Sequence, residues 1–354
     1  MDVLAWPASA SGGNAYNRLL YDHVRADGGV EVADFVPAQA LKRSFHVWHI
    51  HWPEAVPHRG NLLTVLGKLA AFALLIGWAR RRGTRLVWTI HNLRGHVGRH
   101  PRLEAAWMWW FTRRLDGVIA LTDEGRRRAL LRWPALARVP AAVIPLGHYL
   151  GAYPNATTRS EARRRLGLPE EAAVVAFVGN VARYKRPSEL VAAFRDVADG
   201  GARLVVAGRV VDDEGRRVRE AAAGDPRIQL ALGHVADGDL QLFLNAADLV
   251  ACPYEEILNS GTALLALSFG RRVLVPSRGA MAELRDAIGG GWVRTYDGEL
   301  TPELLVAELH SARSENPDPA DAAGRLRRYA EWSAIGARTR EFYAALLSQG
   351  EADG

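Results

Sequence analysis

The chain has 354 residues, of which 49% are apolar and 24% charged. That length suggests two domains, and that composition excludes a disordered chain and a multi-span membrane protein. The net charge of +6 is unevenly spread: residues 1–160 carry 21 Lys and Arg against 10 Asp and Glu, and nine of the 11 Trp fall at or before Trp133. A basic, aromatic first half is expected to face something anionic, such as a membrane surface, a phosphate or nucleic acid. The one cysteine, Cys252, excludes an internal disulfide and a cysteine metal site. A reducing compartment is therefore expected, and no secretory leader is visible before the first apolar residues.

Residues 3–6 read as a strand, followed by a Gly-Gly turn and a helix from about Asn14. Residues 47–51, 86–90, 117–121 and 142–145 continue as strands. His49 and His51 share one face of theirs, with no third ligand at metal spacing. Residues 62–78 are apolar except for Thr64, Gly67, Lys68 and Gly77. The stretch is short for a span, and a central Lys costs roughly 2.5–3.5 kcal/mol on insertion, so a buried crossover helix is expected. The alternative is a helix whose outer face touches lipid, helped by Arg80, Arg81, Arg82 and Arg85. Trp107, Met108, Trp109, Trp110 and Phe111 cannot all face one way on a helix. After a loop with Gly151, Pro154 and Asn155, strands resume at 174–178, 204–207, 228–232, 249–252 and 273–275. Two successive β/α series predict two doubly wound α/β domains with parallel sheets, divided near 150–165, and tail helices from about Ala320 to Leu347.

In such sheets ligands bind beyond the carboxyl ends of strands. The first strand is followed by Gly12, Gly13 and Asn14, where a backbone can approach a phosphate. There is no G-x-G-x-x-G dinucleotide fingerprint. His91 ends the strand 86–90, where an imidazole can exchange protons or hold a sugar hydroxyl. Asn180, Arg183 and Lys185 follow the strand 174–178, and Pro187 suits the first turn of the next helix. Their cations suit a diphosphate. Asn259, Ser260, Gly261 and Thr262 open an apolar helix, offering side-chain caps and backbone N–H groups.

These loops, with the segments FVGNVARYKRPSELVAAF, NSGTALLALSFGRRVLVP, HIHWPE, WTIHNL and IPLGHY, resemble GT-B glycosyltransferases, and within them glycosyltransferase family 4. The resemblance covers nearly the whole chain. It implies two Rossmann-like domains facing a cleft: 1–157 on the acceptor side, 158–319 binding the nucleotide sugar, and C-terminal helices 320–354 crossing back. It implies a hexosyltransferase that moves sugar from a nucleoside-diphosphate sugar to a hydroxyl, with retention and without metal or other cofactor. By this likeness Gly12, Gly13 and Asn14 lie near the donor phosphates. His91 contacts the transferred sugar, and Lys185 grips the diphosphate. Asn180 stands where the family has Arg, with Arg183 as the substitute. Asn259, Ser260, Gly261 and Thr262 receive phosphate. The family's two ribose-binding glutamates are replaced by Ile257 and Leu265, with Glu255 and Glu256 out of register. The expected acceptor is a glycan or polyprenyl-diphosphate-linked glycan. It would be met at the inner face of the cell membrane through a peripheral contact of the basic, Trp-rich domain. No nucleic-acid motif supports a nucleic-acid partner. Alternatives on the same fold are a nucleotide-sugar 2-epimerase and a non-catalytic nucleotide-sugar binder.

Overall fold

The computed structural model describes residues 1–8, 15–58, 60–93, 95, 100–255, 257–315 and 317–352. The chain forms two compact units, Met1–Gly147 with Ala330–Gly354, and His148–Tyr329. The first unit runs β1 (Asp2–Trp6), α1 (Tyr16–Arg25), β2 (Glu31–Asp34), α2 (Pro37–Lys42), β3 (Val47–Ile50), α3 (Leu62–Arg81), β4 (Arg85–Ile90), α4 (Pro101–Thr112), β5 (Gly117–Ala120), α5 (Asp123–Arg132) and β6 (Ala141–Val143). Its sheet is wholly parallel, in the order β2-β1-β3-β4-β5-β6. The central strands are mostly apolar because helices cover both faces, with His49 and Thr89 as buried exceptions. Val47, Leu86, Val87 and Trp88 are fully buried.

The second unit runs α6 (Arg159–Leu166), β7 (Ala173–Val178), α7 (Pro187–Arg195), β8 (Ala202–Gly208), α8 (Glu214–Ala222), β9 (Ile228–Leu232), α9 (Leu240–Ala246), β10 (Leu249–Ala251), α10 (Gly261–Ser268), β11 (Arg272–Pro276), α11 (Ala280–Ile288), β12 (Val293–Tyr296), α12 (Pro302–Glu315) and α13 (Pro319–Ala330). Its parallel order is β12-β11-β10-β7-β8-β9. Here a buried ion pair ties α6 to the sheet. Arg163, fully buried, meets Asp248 at 2.9 Å, and Asp248 also accepts the Val174 N–H at 2.8 Å.

The last helix, α14 (Trp332–Ala352), belongs to the first unit. It lies so close to α1 that a Cβ on Gly336 would meet the His23 carbonyl oxygen at 2.6 Å. Arg340 donates to that carbonyl at 2.6 Å, supplying a partner for the end of α1. Two edge strands, β2 and β12, were not expected from sequence. Each carries polar residues, Glu31 and Asp34 or Arg294 and Thr295, so neither reads as an apolar run.

The expectation of a buried crossover helix at 62–78 is overturned. α3 does connect β3 to β4, but only Val65 and Ile76 in it are buried. A helix packed by one narrow edge on a sheet leaves its other faces to the surroundings. The aromatic run behaves as expected. Trp107, Met108 and Phe111 turn into the core, while Trp109 is 57% exposed.

Candidate active site

The strand order of the second unit reverses between β7 and β10, so the loops after those strands bound its ligand crevice. Gly179 ends β7 at φ 127°, a conformation that suits only glycine. A Cβ there would stand 3.2 Å from Thr262 Oγ1 and 3.3 Å from Lys185 Nζ. The structure therefore brings Lys185 and Thr262 to one point, across a backbone with no side chain. Lys185 is 8% exposed, and its ammonium lies 5.0 Å from the Tyr254 ring centroid. Burial lowers this ammonium to about 8. A cation drawn out of water, with no carboxylate paired to it among the described residues, is poised for an anionic ligand.

The start of α10 faces the same point. Ser260 Oγ accepts the Ala263 N–H at 3.0 Å, leaving Gly261 and Thr262 to present the opening amides of the helix. Asn259 is half-buried beside them. Tyr149 flanks this turn, its hydroxyl 3.3 Å from where a Gly261 Cβ would sit. Asn180 and Arg183 lie on the same loop as Lys185 with exposed side chains, and the Arg183 N–H donates to Asp212 at 3.0 Å. Arg186 follows at φ 53°, the one non-glycine in the left-handed region among the described residues. Such strain collects where a site over-determines its backbone. Ile257 is buried and Leu265 half-buried, so no carboxylate occupies either family position. Glu255 is exposed and turns to Arg186 at 3.8 Å, and Glu256 lies outside the described residues.

In the first unit the order reverses between β1 and β3. Gly12, Gly13 and Asn14, which follow β1, lie outside the described residues. The loops after β3 and β4 hold His91 within a buried network that the sequence did not reveal. His91 Nε2 meets His51 Nδ1 at 3.0 Å. His51 Nε2 meets the Tyr21 hydroxyl at 2.7 Å, and that hydroxyl meets His49 Nδ1 at 2.9 Å. Tyr343 of α14 reaches the same His49 nitrogen at 2.6 Å, and His49 Nε2 meets Thr89 Oγ1 at 2.7 Å. Burial pushes His49 and His91 down to about 3, and lowers His51 well below its usual range. All three rings are therefore neutral, and of His51 and His91 one ring donates its N–H to the other. Trp52 stacks on His91 at 4.6 Å between centroids. His49 spends its nitrogens on two tyrosines and Thr89, and His51 on Tyr21 and His91. Among the described residues no three His, Cys, Asp or Glu are grouped to hold a metal.

Next to His91, Asn92 donates to Glu54 Oε1 at 3.1 Å. Glu54 is 3% exposed, and its Oε2 has no hydrogen-bond partner among the described residues. Burial raises this carboxyl to about 8. The sequence signal was present in HIHWPE, but a glutamate after a proline reads as a surface residue until its burial is seen.

Comparison with known proteins accords with this arrangement. A family model described as glycosyl transferases group 1 matches residues 172–307. A GDP-mannose:glycolipid 4-beta-D-mannosyltransferase of Xanthomonas campestris pv. campestris is 32% identical over 344 residues, covering 96% of this chain and 90% of that protein. Among solved structures, Anabaena HepE in complex with UDP-glucose superposes with a TM-score of 0.71 at 16% identity, covering 98% of this chain and all of that one. Sucrose-phosphate synthase from Thermosynechococcus elongatus superposes with a TM-score of 0.66 at 18% identity, covering 98% and 99%. At such identities the structures speak for the fold, and the sequence relative speaks for the family. Two parallel six-stranded sheets, a helix start set against a buried lysine, and a relative matched over 96% of the chain together make this chain a member of the GT-B glycosyltransferases.

Proposed function

We propose that this glycosyltransferase moves mannose from GDP-mannose to a hydroxyl of a lipid-linked glycan. The observation that carries the donor half is the meeting of Lys185 and the start of α10 over Gly179. A leaving nucleoside diphosphate gains negative charge in the transition state. A buried ammonium and helix-start amides stabilise that charge most when water is excluded. The Xanthomonas relative supports mannose as the sugar and glycolipid as the acceptor class. The departing charge is met by protein groups, so the proposed reaction proceeds without a metal. Asn180, Arg183 and Asn259 line the same loops as donor contacts, and His91, neutral and stacked on Trp52, holds a sugar hydroxyl. The setting is the inner face of a cell membrane, where a lipid-linked acceptor is available.

The family resemblance implies retention. Glu54 and the β-linked product named for the relative favour inversion instead. With a donor whose diphosphate leaves from the α face, the acceptor oxygen attacks C1 from the β face. The C1–O bond forms as the bond to the diphosphate breaks, and the acceptor proton passes to a carboxylate, for which Glu54 is the candidate that the first unit offers. A carboxyl near 8 is matched to that task close to neutral pH.

The test uses purified protein with a panel of GDP- and UDP-sugars, a lipid-linked oligosaccharide and EDTA. Mannosylated product from GDP-mannose alone, with a β-anomeric proton by NMR, is the expected result. Conversion of the donor sugar without acceptor would show an epimerase, and an α-anomeric product would show retention.

A further inference from the structure

α3 presents a contradiction that a water-exposed surface does not resolve. Its 20 residues contain an 18-residue window with a mean hydropathy of 2.0, yet only 11% of that window is buried. A helix apolar on all sides belongs in a protein core or in lipid. Leu63, Leu66, Ala70, Leu74 and Trp78 recur at three- and four-residue spacing, so they form one outward stripe. Leu63 is 80% exposed, Leu74 75% and Trp78 43%. Leu41, itself 49% exposed, extends the stripe, since the Trp78 indole N–H donates to its carbonyl at 3.3 Å. Patches of this kind on a soluble surface mark an interaction site.

The opposite edge of α3 is fixed. Val65 and Ile76 are fully buried, and Phe72 packs on Trp6 at 4.8 Å and on Trp48 at 5.6 Å. Both ends return to the sheet, because β3 and β4 are paired neighbours. A helix held along its length in this way lies in the plane of a surface and does not cross it.

Charge identifies the surface. From residue 55 to residue 103 the chain has nine Lys and Arg and no Asp or Glu. Lys68 stands within α3, and Arg80, Arg81 and Arg82 close it, with Arg82 set over the Trp78 ring at 5.3 Å. Apolar side chains bordered by cations, with Trp at the border, are what an anionic lipid interface binds. We infer that the outward stripe of α3 inserts among the acyl chains of an anionic bilayer, with Arg81 and Arg82 on the lipid phosphates, Arg80 being held by Asp116. This stands on the helix alone and does not depend on the donor or acceptor assigned above.

Purified full-length protein would be sedimented with vesicles of phosphatidylcholine and with vesicles containing 30% (roughly) phosphatidylglycerol. GDP binding would be measured on the same samples. Wild type is expected to partition at least tenfold more onto the anionic vesicles, and less as salt rises. Leu63→Glu with Leu74→Glu is expected to lose that partition at least tenfold while keeping its melting temperature and its GDP affinity. Arg81→Ser is expected to weaken it in the same direction. Equal partition of the double variant would overturn the inference. So would a wild-type dimer that ignores vesicles and dissociates in the double variant, since the stripe would then be an interface between copies. GDP binding can fail without any change in sedimentation, so the two readings fail separately.

Discussion

At the scale of single residues, the proposed chemistry rests on two ionisable groups displaced by burial. Lys185 is lowered to about 8 and Glu54 is raised to about 8, both by burial. For Glu54 the consequence for stability has a definite sign. Its folded value lies above that of the unfolded chain. Its contribution is therefore intact below about pH 4.5 and is lost as pH rises through about 8. Glu54→Gln keeps the shape of the protonated acid and cannot ionise. At pH 8 the variant is expected to be more stable than wild type by on the order of 2 kcal/mol, and equal to it near pH 4.5, while transfer activity falls at least a hundredfold. Denaturant unfolding at the two pH values checks the first part. Wild-type stability that does not fall relative to the variant would remove Glu54 from its buried setting. Sequence made Lys185 and His91 legible, because each follows a strand in a motif of recognisable order. It could not show Glu54 as buried, nor Tyr21 and Tyr343 as partners of one imidazole across 294 residues.

At the scale of elements, the central strands were legible because burial on both faces leaves an apolar run, and β2 and β12 were not because edges tolerate polar residues. α3 was misread for the converse reason. Composition reports that a helix avoids water, not whether protein or lipid takes the place of water. The attachment of α14 rests on backbone proximity, which composition also conceals. Gly336→Ala would drive a methyl into the His23 carbonyl and is expected to cost about 1–3 kcal/mol. Gly324→Ala in α13, whose Cβ would meet only Arg328 at an ordinary 3.6 Å, is expected to be neutral or stabilising by up to ~1 kcal/mol. Chemical denaturation of both variants separates them. Equal stability would mean that α14 is free to shift.

At the scale of the whole molecule, the uneven charge and the doubled β/α pattern divide the labour. The first unit carries the basic, aromatic surface, the neutral histidine network and Glu54. The second carries the buried cation and the helix start that suit a diphosphate. The family's ribose glutamates are absent at Ile257 and Leu265, so in the proposed reading donor affinity leans more heavily on the diphosphate contacts. That dependence makes Lys185 the place to test the account. Isothermal titration with GDP between pH 7 and 10 reads it directly. Wild-type affinity is expected to hold up to about pH 8 and then fall about tenfold for each further pH unit as the ammonium deprotonates. Lys185→Met is expected to bind GDP at least thirtyfold more weakly at pH 7, with no dependence on pH. GDP bound equally by both proteins, or a wild-type affinity flat to pH 10, would contradict the assignment of Lys185 to the donor diphosphate.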